Sequence, residues 1–171
     1  MSEFPATAED PWRTGVVQDF ASSELFDRTF NEGMELVEET AAYLDGSGRQ
    51  DSRLLSRGAA LSYAGESMRL TTRLMQVASW LLVQRAVREG DMPATEASQE
   101  RYRLNEAAPN ADIADPDLPG GLLSLLDRSS RLYERVLHLD RRMYVEVTDA
   151  EAPHPVRSQM DRLEAAFGRA S

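Results

Sequence analysis

The chain is expected to be all-α: an antiparallel three-helix bundle. A long irregular connection is expected between the second and third helices, and a short C-terminal amphipathic helix or disordered tail at the end. Three observations predict this. Three long segments carry apolar residues at helical spacing. Glycine and proline bracket each of them. The 171 residues suit one domain, large enough to bury roughly 70% of its unfolded surface without metal or disulfide. The expected organisation is a loose lead-in at 1–19, a bundle domain at 20–148 and a flexible tail at 149–171.

The first helix is predicted from Ser23 to Leu44. Ser22 or Ser23 supplies the N-cap and Gly46-Ser47-Gly48 the stop. Phe26, Phe30, Gly33, Val37, Ala41 and Leu44 form one stripe at the 3.6-residue period. Glu24, Asp27, Arg28, Asn31, Glu35 and Glu38 lie opposite.

The second helix is predicted from Ser52 to Glu89, capped by Asp51 or Ser52 and stopped by Gly90 and Pro93. It has two apolar faces. One holds Leu54, Leu61, Met68, Met75, Leu82 and Ala86, the other Tyr63, Leu70, Leu74, Val77 and Leu81. Two faces require two packing partners. Gly58 and Gly65 each cost roughly 1 kcal/mol relative to Ala in a helix interior, which predicts that a neighbouring backbone comes close.

Residues 91–120 read as an acidic connection, with a short polar helix over Thr95–Glu106 and an irregular stretch around Pro109, Pro116 and Pro119. The third helix is predicted from Leu122 to Val147, with a wide apolar arc that needs more than one neighbour. After Pro153 and Pro155, Val156, Met160, Leu163 and Phe167 give a short amphipathic segment, too short to be stable alone. Homodimerisation is the simplest cover for the apolar surface left on the second and third helices.

Charge narrows the function. The net charge is −10, and all 19 basic residues are Arg. An acidic balance argues against general binding to nucleic acid or anionic membrane. Residues 1–51 hold twelve acids against three Arg, and residues 52–90 hold two acids against six Arg. These two segments should attract each other when packed side by side. The absence of Cys excludes disulfides, thiol catalysis and Cys-ligated zinc and fits a cytoplasmic setting. Residues 1–12 are acidic with no apolar core, unlike a signal peptide. The run Val77–Val83 is far too short to span a bilayer.

Catalytic and cofactor chemistry find no footing. Glu151 and His154 have Glu-x-x-His spacing, but Pro153 sits inside it, and a helical metal site needs an unbroken helix and a second copy. Glu134 and His138 make an ordinary i,i+4 contact on a polar face. Gly46-Ser47-Gly48 lacks the Lys and the strand of a phosphate loop. No catalytic residue, metal or cofactor is expected.

Trp80 carries the most information. Helical projection puts it within a polar arc with Arg69, Arg73, Gln76 and Gln84. Trp and Arg are enriched at interface hot spots, so these five are the candidate protein-binding surface, with Met160, Leu163 and Phe167 of the tail.

The second helix contains the run YAGESMRLTTRLMQVASWLLVQRAV, Tyr63 to Val87, and the third LLSLLDRSSRLYERV, Leu122 to Val136. Both strings resemble the alphaproteobacterial regulators of CtrA degradation, over about residues 20–147. The resemblance implies a dimeric helical bundle without catalysis. It implies an adaptor for the ClpXP protease that helps deliver CtrA and other substrates, together with other adaptor proteins, in the cytoplasm at a cell pole. The alternative from another class is a DNA- or nucleoid-associated helical regulatory protein, resting on the arginines of the second helix.

Overall fold

The computed structural model describes residues 15, 17, 19–104 and 115–144. All regular structure among them is helical. Helix α1 spans Glu24–Asp45, α2 Ser47–Ser52, α3 Arg57–Glu89, α4 Ala94–Ala97 and α5 Gly120–Tyr144, with a 3₁₀ turn at Glu100–Tyr102.

Helix α1 starts where a cap is available. Ser23 Oγ accepts from the Phe26 amide, satisfying one of the free amides of the first turn. Its buried side is Phe26, Thr29, Gly33, Leu36 and Thr40. That stripe is rotated by roughly 60° from the expected one, at 100° per residue. Two threonines enter the core, whereas Ala41 is exposed and Val37 and Leu44 are half-buried.

The second predicted helix begins late. At Gly46 the chain turns, and α2 packs as a separate turn against the end of α1. Ser52 Oγ donates back to the Arg49 carbonyl and so does not cap α3. The cap is Ser56, whose Oγ accepts from the Ala59 amide. Gly90, at φ +80°, closes α3 in the left-handed conformation that glycine tolerates.

Helix direction is set by which residues meet. Glu39 pairs with Arg128 and Glu32 with Arg135, so α1 is antiparallel to α5. Asp27 pairs with Arg88, so α1 is antiparallel to α3 as well. Arg73 meets Ser129, Trp80 meets Asp140 and Gln84 meets Tyr144, so α3 and α5 run in the same direction. The expected antiparallel relation therefore holds for α1 against each of the other two. Parallel neighbours need the chain carried back along the bundle, which is why the connection is long. The connection is also partly built. It carries α4 and the 3₁₀ turn, and Ala94, Ala97, Leu104 and Leu118 are buried.

Phe20, Phe26, Phe30 and Trp80 form the aromatic centre, with ring centroids 5.7–5.9 Å apart along the chain of contacts. Val17 and Ala21 are buried there too, so part of the lead-in belongs to the core.

Candidate protein interface

Trp80 does not stand on an open surface. It is 1% exposed, because the polar arc around it faces α5 and the connection instead of water. A buried indole needs an acceptor for its N–H, and Asp140 provides one at 2.9 Å. Asp140, itself 1% exposed, also accepts from Arg103 Nε and Nη2 at 2.9–3.0 Å. The Arg103 guanidinium lies 4.7 Å from the centroid of the Tyr144 ring. Gln84 Nε2 in turn donates to the Tyr144 hydroxyl at 3.0 Å. Burial pushes the Tyr144 hydroxyl up to about 12, against the donation from Gln84. This network ties α3, α5 and the connection together.

Two other expected contact residues are also internal. Gln84 is buried. Arg73 is buried between α3 and α5, donating to Ser129 Oγ at 3.0 Å and the Leu126 carbonyl at 3.4 Å, and burial pulls its pKa down. Arg69 and Gln76 are half-buried, and Arg69 pairs with Glu66. Gln76 lines a groove of about 330 Å³ with Met75, Ser79, Trp80, Tyr102 and Leu104. Met160, Leu163 and Phe167 lie outside the described residues, as do Glu151 and His154.

Sequence reasoning misses Asp140 and Arg103. One signal for the acid is legible. Asp140 continues the spacing Tyr133, Val136, Asp140, Met143, which puts a carboxylate on the buried face.

The arginines of α3 do not form a basic stripe among the described residues. Arg73 is buried, Arg85 pairs with Glu89, and Arg88 with Asp27 on α1. The acids of α1 reach α5 as well as α3. Arg128 holds the Glu39 carboxyl below its usual range and is itself raised by that partner. Among the described residues no group of three or more His, Asp or Glu side chains could hold a metal ion. None of the described helices is long and apolar enough to cross a membrane.

The outside of α3 also carries large apolar side chains among its exposed threonines and serine. Leu61, Met68, Met75 and Leu82 are 71%, 72%, 65% and 52% exposed, and Leu54 projects from the turn before them. A groove of about 290 Å³ continues this face onto α1, lined by Val37, Ala41 and Leu44 with Thr71, Met75 and Ala78.

The family described as protein of unknown function DUF1465 matches residues 17–167. The chain belongs to this family. Among solved structures it is similar to RcdA from Caulobacter crescentus CB15, with 70% sequence identity and a TM-score of 0.64. That match covers 75% of this chain and 98% of RcdA. A comparison with curated proteins finds no match. The resemblance read from the helix α3 and α5 strings is thus shown, and it extends beyond residues 20–147 at both ends.

Proposed function

We propose that this chain is a non-enzymatic adaptor of regulated proteolysis in the cytoplasm, acting as RcdA-type regulators of CtrA degradation do. It works as a homodimer. It tethers cell-cycle regulators such as CtrA, with other adaptor proteins, to the ClpXP protease, at a cell pole. The observation that carries this reading is the 70% identity over 98% of the RcdA chain. The mechanism is proximity: two modest contacts on one rigid scaffold raise the effective concentration of substrate at the protease.

The internal network supports such a role. Arg103, Asp140 and Trp80 fix the connection against the bundle, so that the groove beside Gln76 keeps its shape. Gln76, Arg69 and the tail residues Met160, Leu163 and Phe167 make up the proposed contact surface. Trp80, Arg73 and Gln84 support it from behind.

The test is degradation reconstituted with purified ClpXP, CtrA and a partner adaptor. Adding this chain is expected to raise the rate of CtrA loss severalfold. A rate unchanged at saturating concentrations of the chain overturns the reading. Replacing Gln76 by Arg, with Met160, Leu163 and Phe167 replaced by Ala, should abolish the gain without loss of helical content.

A further inference from the structure

Two features of the chain fit each other. The first is the groove of about 330 Å³ beside Gln76. Its α3 wall, with Thr72, Met75, Ser79 and Val83, is uncharged, and its other wall brings Tyr102 and Leu104 from the connection. From Thr72 to Val83 the wall runs roughly 16 Å along the helix. The charges of the groove are confined to its rim, where Arg101 and Arg103 stand.

The second is the amphipathic stretch from Val156 to Phe167. Val156, Met160, Leu163 and Phe167 form an apolar stripe of the same length, roughly 16 Å in a helix. The charges of the stretch, Arg157, Asp161, Arg162 and Glu164, lie roughly 70° or more from the centre of that stripe. A helix this short is marginal in water by itself, and an uncharged groove of matching length is the cover it needs.

The way out of the bundle leads to the groove. Helix α5 ends at Tyr144, level with Gln84 of α3. The Arg103 guanidinium that lines the groove lies 4.7 Å from the centroid of the Tyr144 ring. Residues 145–155 then carry Glu146, Asp149 and Glu151 and no Arg, so an acidic stretch leaves past two arginines and is attracted by them. Arg101 is 63% exposed and meets Glu96 at 3.4 Å, which leaves guanidinium donors for a further carboxylate. Extended, residues 145–155 reach at most about 36–40 Å, ample to turn back and enter the groove at its Val83 end. Such a tether holds the stretch near the groove at roughly millimolar effective concentration.

Resting on the adaptor reading, we propose that this groove is the seat of the chain's own C-terminal segment, and that a partner must displace the segment to bind either element. Entering from the Tyr144 end, the segment lies antiparallel to α3, with Val156 level with Val83 and Phe167 level with Thr72. The two halves of the proposed contact surface cover each other until a partner arrives.

The absence of Cys lets a cysteine pair report the seat. In the double variant Ser79→Cys, Gln159→Cys the two thiols stand level in the proposed register. A short bismaleimide should couple them within one chain, with the linked peptides read by mass spectrometry. The pair Glu35→Cys, Gln159→Cys sets the background, because Glu35 is exposed on α1 and outside the groove. The Ser79 pair should couple at least tenfold faster, and equal rates would overturn the seat. Phe167→Asp, added to the Ser79 pair, should slow coupling to the background. An unchanged rate would show proximity by tether alone and overturn the seat. In an equal mixture of light-isotope and heavy-isotope chains, the links should join peptides of one label. Mixed links would place the segment on a neighbouring copy and overturn seating within one chain. An excess of ClpXP, CtrA and a partner adaptor should slow the coupling at least threefold. Unchanged coupling while CtrA loss still accelerates would overturn the masking and leave the adaptor reading standing. No acceleration of CtrA loss, with coupling in the free chain intact, would sink the adaptor reading and the masking that rests on it, and keep the seat.

Discussion

Trp80 and Asp140 meet across the interface of α3 and α5, indole Nε1 donating to carboxylate Oδ1 at 2.9 Å, with both residues 1% exposed. The same carboxylate holds Arg103 by two parallel hydrogen bonds, the geometry that makes Arg–carboxylate pairs strong. A single acid thus fixes the order of three elements: α3, α5 and the connection.

Removing that acid leaves an indole N–H and a largely buried guanidinium without their acceptor. Breaking one partner of a buried pair costs about 3–5 kcal/mol. Because Arg103 keeps 21% side-chain exposure, the expected loss for Asp140→Ala lies at the low end, about 3 kcal/mol. Asp140→Asn, which keeps an acceptor but no charge, should lose less. Urea unfolding followed by circular dichroism checks both. Equal stability of Asp140→Ala and wild type would show that the network does not hold the connection.

Trp80→Ala is expected to act through the fold and not through a lost surface contact. The ring packs on Phe20 and fills the centre of the bundle. Truncating a buried aromatic costs about 3–5 kcal/mol. A drop in melting temperature should therefore accompany any loss of partner binding. Partner binding lost at wild-type stability would return Trp80 to the contact surface.

These residues also mark how far the sequence can be read. Periodicity finds α1, α3 and α5, and cap chemistry finds the Ser23 start of α1 and the Gly90 stop of α3, because both are local; the start of α3 is placed too early, since Ser56 and not Asp51 or Ser52 caps it. The direction of α5 relative to α3 is not local. It depends on where the connection runs, and Arg103 and Asp140, 37 positions apart, decide that. Helical projection assigns Trp80 to a polar arc because Arg73, Gln76 and Gln84 are polar residue types. Projection cannot show that Arg73 and Gln84 find hydrogen-bond partners on α5 and are buried with it. Conversely, the face of Leu61, Met68, Met75 and Leu82 is legible as one needing a partner, and among the described residues it stays exposed.

Gly121 tests the packing at the other end of the bundle. A Cβ there would stand 2.5 Å from the Tyr43 ring, and one on Gly48 would meet the same ring at 2.5 Å. Tyr43 is thus held between two glycines and has no room to withdraw. Gly121→Ala should cost about 1–3 kcal/mol, the range for overpacking, measurable by thermal unfolding. Gly33→Ala should cost less. Its Cβ would meet the Leu81 Cδ1 methyl at 2.7 Å, the movable end of a flexible side chain.

Stability should fall in strongly alkaline solution, and Tyr144 should be one cause. Burial raises its hydroxyl from 10.0 to about 12 in the folded chain. The unfolded chain therefore loses this proton first as pH rises, and from about pH 10 upward deprotonation favours unfolding. The stabilisation held by the neutral hydroxyl is complete below about pH 10 and is lost as pH climbs towards 12. Two units correspond to about 2–3 kcal/mol at the upper end. Tyr43 and Tyr63, both raised by burial, add to the same trend. Tyr144→Phe removes the ionisation but leaves Gln84 Nε2 without its acceptor. It should therefore be less stable than wild type at about pH 8 by about 1 kcal/mol and show a shallower decline between about pH 10 and 12. Parallel curves for the two proteins over that range would show that Tyr144 does not carry the alkaline loss.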